Sequence, residues 1–134
     1  MSDDPAMGGS SSDALGTHLL LELNECDSGL LDELDLIEAA MVDAAREAGA
    51  SILGRSFHKF TPRGVTGIVA IAESHLAIHT WPEHGYAAVD IFTCGESFAP
   101  DRAAHLIIGS LKCRNPVTTT IRRGPVGSGA AAAL

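Results

Sequence analysis

The sequence predicts an α+β fold, a two-layer sandwich in which a mainly antiparallel sheet carries two helices on one face. Three observations carry that expectation. Residues 65–95 read as three strands in a row, separated by breaks too short to hold a helix. Two other stretches, 32–48 and 101–112, repeat apolar residues at helical spacing. The strand over 65–72 is apolar at successive positions, Ile68, Val69, Ala70 and Ile71, so both of its faces call for burial. Two helices cover one sheet face only. A second copy packed face to face covers the other, so the expectation extends to a homodimer with a four-layer αββα arrangement.

The elements follow in order. Residues 1–15 are rich in Gly, Ser and Asp and read as a disordered tail. Residues 17–24 (THLLLELN) read as a strand and 26–29 (CDSG) as a turn. In the helix over 32–48, Leu34, Ile37, Met41, Ala44, Ala45 and Ala48 form one apolar stripe. Asp32, Glu33 and Asp35 stand at its start, where the helix dipole favours acids, and Gly49 ends it as a left-handed cap. Residues 51–59 form the next strand, and 61–64 (TPRG) turn the chain into 65–72. Glu73-Ser74 separates that strand from the next, over 74–81. Pro82-Glu83-His84-Gly85 makes a turn into a third, over 86–93. Pro100 precedes the second helix, with Leu106 and Leu111 facing inward. The last strand, 115–122, contains Pro116 and so belongs at a sheet edge. Residues 124–134 read as a flexible tail. The organisation is one domain over 16–123 between two tails.

Composition narrows the function classes. A formal net charge of −8 disfavours nucleic acid and anionic membranes as partners. No apolar run reaches the ~18 residues a membrane helix needs. Three cysteines, Cys26, Cys94 and Cys113, lack the even count and spacing of a disulfide framework. The expectation is a soluble, reduced, cytoplasmic protein. His75 and His79, four apart, suggest a metal pair. On a strand, however, they stand roughly 13 Å apart and cannot share one ion, so no metal is expected. His75 and His84 receive no role.

Residues that can do chemistry cluster in 73–94. Ser74, His79 and Cys94 offer a hydroxyl, a base and a thiol, yet no G-x-S-x-G elbow accompanies them. Taken alone, a Ser-His pair at a turn is an ordinary turn.

Three blocks carry more information: THLLLELNECD (17–27), HKFTPRGVTG (58–67) and ESHLAIHTWPEHGYAAVDIFTCG (73–95). Together they resemble the bacterial S-adenosylmethionine decarboxylases, small pyruvoyl-dependent enzymes of polyamine synthesis. The resemblance spans most of the folded part of the chain. It implies a proenzyme cut between Glu73 and Ser74. The Ser74 hydroxyl attacks the Glu73 carbonyl, and the peptide becomes an ester. Elimination then leaves a dehydroalanine that hydrolyses to a pyruvoyl group and ammonia. Such an attack needs the hydroxyl close to a carbonyl held in a strained turn, with a base to manage protons. The resemblance gives His79 that proton-acceptor role. The substrate amine then forms a Schiff base with the pyruvoyl carbonyl, which acts as the electron sink while carbon dioxide leaves.

The same resemblance makes Cys94 the proton donor to product, a task for a thiol that stays largely neutral, as free thiols do near pH 7. It makes Glu83 the acid that binds the ribose hydroxyls. Phe60 and Trp81 are candidates for stacking on adenine, with core packing as their other reading. Thr66 departs from the serine expected there. It keeps the hydroxyl that supports processing and adds a methyl. Cys26 and Cys113 read as structural. Two rival readings stay open: a pyruvoyl-dependent arginine or ornithine decarboxylase, and an uncleaved subunit that only regulates a partner.

Overall fold

The computed structural model describes residues 14–94 and 97–125. Its centre is one six-stranded antiparallel sheet in the order β2-β3-β4-β5-β1-β6. The strands are β1 (Ala14–Asn24), β2 (Ile52–Lys59), β3 (Val65–Ile71), β4 (Ser74–Trp81), β5 (Tyr86–Thr93) and β6 (Asn115–Pro125). Strands β2 to β5 form a meander. The chain reaches β2 from β1, and β6 from β5, through helical connections. These connections hold α1 (Ser28–Leu31), α2 (Leu34–Glu47) and α3 (Pro100–Ser110).

Strand alternation divides the sheet into a dry face and an open one. Leu19, Leu21 and Leu23 of β1, Val65, Val69 and Ile71 of β3, Leu76 and Ile78 of β4, and Val89 and Ile91 of β5 are all buried. They share the core with Ile37, Met41, Ala44 and Ala45 of α2 and with Ala103 and Ile107 of α3. Burying each large aliphatic side chain contributes about 1.5–3 kcal/mol, which is why this face dictates the register. The open face tells a different story. Ile68 is 44% exposed, as are Val117 at 49% and Ile121 at 40%. The double-sided apolar run of β3 therefore buries Val69 and Ile71 and leaves Ile68 on a face that the helices do not cover.

Several boundaries differ from the sequence expectation. Both β1 and β6 run three residues longer than read, because each supplies the other's partner: Ala14 pairs with Pro125 and Gly16 with Arg123. The remainder of the two tails lies outside the described residues. Pro116 is on an edge strand as expected. The stretch read as a turn at 26–29 contains the short helix α1, capped by the Asp27 carboxylate accepting from the Leu30 amide. Asp32 consequently ends α1 instead of opening α2, whose own N-cap is Glu33. The expected close of α2 is present. Gly49 has φ +99°, and the Ala50 and Gly49 amides donate to the Ala45 and Arg46 carbonyls in a Schellman arrangement.

Candidate active site

The connection from β3 to β4 is Ala72-Glu73, and Ile71 pairs directly with Ser74. Ser74 is thus the first residue of β4 and not part of the break. Its hydroxyl lies against the Glu73 carbonyl oxygen, the preceding peptide's own. The Ser74 hydroxyl oxygen accepts from the Cys94 amide at 3.0 Å. That bond follows from register, since Ser74 pairs with Thr93, and Cys94 comes next. The Cys94 thiol is exposed. The turn itself has no left-handed residue: the non-glycine residues with positive φ are Glu25 and Lys112 among those described.

A second group stands at the far end of β4. The Thr66 hydroxyl and His79 Nδ1 are 3.1 Å apart, set opposite one another by the β3–β4 register. The threonine hydroxyl is thus within hydrogen-bonding distance of the His79 ring. His79 leads to Trp81, with ring centroids 6.5 Å apart, and Trp81 to Tyr86, at 5.4 Å. A single 3₁₀ turn, Pro82–His84, carries Glu83, and Gly85 closes it at φ +58° with its amide on the Pro82 carbonyl. A side chain at Gly85 would meet the Cys26 carbonyl at 3.3 Å, so both conformation and space favour glycine there. These residues enclose a cavity of about 240 Å³ lined by Phe60, Arg63, Thr66, His79, Trp81 and Glu83, among others. Phe60 and Trp81 are 46% and 40% exposed, which removes core packing as their explanation. A neighbouring cleft of about 260 Å³ shares Thr66 and His79 and reaches Ile68 on the open face.

The structure does not bring the two groups together within one chain. Ser74 and His79 are five residues apart along a strand, roughly 16 Å, and have opposite parity. Glu73, Ser74 and Cys94 form one cluster. Thr66, His79, Trp81, Glu83 and Phe60 form another. Sequence reasoning missed Arg63 in the cavity wall, since a lone arginine in a turn carries no signal. Among the described residues no three His, Cys, Asp or Glu side chains gather as metal ligands.

Electrostatics separates structural from chemical groups. Burial pushes the Cys26 thiol up to about 12, with Cys113 beside it adding to the effect. The two thiols donate to the Leu23 and Asn24 carbonyls, which suits the structural reading of both. The hydrogen bond from Tyr86 to Glu22 holds the phenol up to about 12, with desolvation helping. The Gly64 amide and then Lys59 draw the Asp32 carboxyl below the usual carboxylate range.

The chain is similar to known proteins over most of its length. The family model described as S-adenosylmethionine decarboxylase matches residues 17–124. An S-adenosylmethionine decarboxylase proenzyme of Thermodesulfovibrio yellowstonii is 51% identical over 83% of this chain and 82% of its own length. One from Acetivibrio thermocellus is also 51% identical, over 83% of this chain and 90% of its own. The crystal structure of the adenosylmethionine decarboxylase of Aquifex aeolicus superposes with a TM-score of 0.80 at 34% identity. That match covers 87% of this chain and 96% of the other.

Proposed function

The chain belongs to the S-adenosylmethionine decarboxylase family, and from that premise we propose that it is a self-cleaving decarboxylase of S-adenosylmethionine. The products are the decarboxylated sulfonium nucleoside and carbon dioxide, the former a propylamine donor for spermidine synthesis. The observation that carries the reading is the contact of the Ser74 hydroxyl with the Glu73 carbonyl. A hydroxyl on its own preceding peptide group is placed for an N-to-O acyl shift, in which the Oγ–C bond forms as the C–N bond breaks. Elimination of the Glu73 carboxylate and uptake of one water then release ammonia and leave the new amino end blocked.

The residues present fit a pyruvoyl group at position 74. The group would arise from Ser74 itself, beside the Cys94 amide and the exposed Cys94 thiol. Once formed, it supplies a carbonyl for the substrate amine and a sink for the electrons left by carbon dioxide. The work of the chain is positioning and proton handling. Cys94 returns a proton to the product carbon. Glu83 accepts hydrogen bonds from the ribose hydroxyls, and Phe60 and Trp81 face the adenine across the cavity. His79, oriented by the Thr66 hydroxyl, takes the proton of the attacking serine.

A separation of roughly 16 Å forbids that last step within one chain. We infer that His79 serves the Ser74 of a second copy. With the two-fold axis lying across the strands, two sheets packed open face on open face run antiparallel, and the Ser74–Cys94 end of one meets the Thr66–His79 end of the other. The same packing buries Ile68, giving the four-layer homodimer expected from β3. A monomer in analytical ultracentrifugation at micromolar concentration contradicts it.

The activity is tested by release of labelled carbon dioxide from S-adenosylmethionine, arginine and ornithine, with Ser74→Ala as the blank. Release from S-adenosylmethionine alone supports the reading, and release from either basic amino acid instead overturns the substrate assignment. We place the enzyme in the cytoplasm. No helix among the described residues is long and apolar enough to cross a membrane.

A further inference from the structure

The loop between β2 and β3 forms one wall of the cavity that Trp81 and Glu83 also line. Its shape is not fixed by the strands alone. The Phe60 amide donates to the Gly64 carbonyl at 2.8 Å, which closes the loop on itself. Gly64 has φ +108°, a conformation other residues rarely adopt, and it is buried. Its amide does not join the ladder. It donates to the Asp32 carboxylate at 2.8 Å, across 32 residues of sequence. The same carboxylate oxygen receives the Lys59 ammonium at 3.0 Å, and that ammonium also donates to the Phe60 carbonyl.

The next amide in the chain is gripped in parallel. Val65 donates to the buried Thr80 hydroxyl at 2.8 Å, and that hydroxyl donates to the Leu31 carbonyl at 2.8 Å. Two successive residues at the end of α1, Leu31 and Asp32, thus hold two successive amides at the end of the loop. Asp32 is itself anchored, its own amide on the Gly29 and Leu30 carbonyls.

We propose that Asp32 is a positioning residue for the nucleoside subsite: through the Gly64 amide and Lys59 it sets the Phe60 loop at the spacing from Trp81 that a purine ring requires. The inference rests on the reading of this cavity as the nucleoside subsite. Asp32 does not face the cavity and touches no substrate. Its depressed carboxyl pKa agrees with a carboxylate held by donors at neutral pH. The Thr66–His79 bond lies on strands and not on the loop, so the device tunes binding and leaves cleavage alone.

The test uses Trp81, the one tryptophan of the chain, whose fluorescence reports a ring bound beside it. The probe is 5′-methylthioadenosine, a nucleoside that lacks the reacting amine, titrated into the full-length processed protein. Asp32→Ala should raise its Kd about tenfold, the size of one lost hydrogen bond to a charged acceptor. With S-adenosylmethionine, KM should rise in step, while kcat stays within about twofold and the extent of cutting after Glu73 is unchanged. Asp32→Asn keeps an acceptor for Gly64 and loses only the Lys59 attraction, so it should weaken binding about threefold, as Lys59→Met should. The asparagine and methionine variants stand in should the alanine variant not fold. Wild-type affinity in these variants overturns the inference alone. A wild-type protein whose Trp81 ignores the nucleoside overturns the subsite reading and the inference with it.

Discussion

Ser74 opens β4, and His79 lies five residues further along the same strand. One touches the Glu73 carbonyl, the proposed cut position, and the other touches Thr66. The proposed site needs both and would take one from each of two chains, and complementation tests this. Ser74→Ala and His79→Ala should each leave the chain uncut when expressed alone. Co-expressed, they should yield cut His79→Ala chains and roughly a quarter of wild-type activity, because half of randomly formed dimers hold one intact site. No cutting in the mixture places both residues in the same protomer's site.

Removing the Cys94 thiol should separate the two reactions. Cys94→Ala changes an exposed side chain and leaves the amide that reaches Ser74, so self-cleavage should proceed and stability should move by less than about 0.5 kcal/mol. Decarboxylation should fall on the order of 100-fold, the range for loss of a positioned proton donor. Undiminished kcat assigns the proton to another group.

Tyr86 is the only tyrosine, so phenolate absorbance reads it without interference. Its bond to Glu22 favours the neutral phenol, and the titration should centre near 12 instead of near 10. The folded pKa is raised, so the stabilisation it brings is complete below pH 10 and is lost as pH rises through about 12. Glu22→Gln should move the midpoint back toward 10. An unmoved midpoint removes the carboxylate as the cause.

Thr80 is a buried hydroxyl with both hydrogen-bonding roles used, accepting from Val65 and donating to Leu31. Thr80→Val keeps the volume and strands both backbone groups. Denaturant unfolding should show a loss of about 1–3 kcal/mol. A loss under 0.5 kcal/mol indicates that water replaces the hydroxyl.

Much of the fold was legible because period and punctuation agree. The stripe from Leu34 to Ala48 and the Gly49 cap mark α2, and the alternation from Ser74 to Trp81 marks β4. The short helix α1 was not legible, since four residues cannot display a helical period. With it went the position of Asp32, whose acidity suits a helix start as well as the loop clamp it forms. Glu73, Ser74, His79, Trp81 and Glu83 were put forward one by one from the block at 73–83, and Cys94, Thr66 and Phe60 from the blocks around it. Their division into two clusters was not legible, because a motif compressed in sequence becomes extended on a strand, where five residues span the width of the sheet.

Intact mass of the purified protein, before and after sodium borohydride with S-adenosylmethionine, tests the central claim most directly. The expected result is loss of the 13.9 kDa chain in favour of residues 1–73 and a blocked fragment beginning at position 74, with the substrate-derived mass added to the shorter piece alone. A single uncut chain that takes up no substrate would contradict the account.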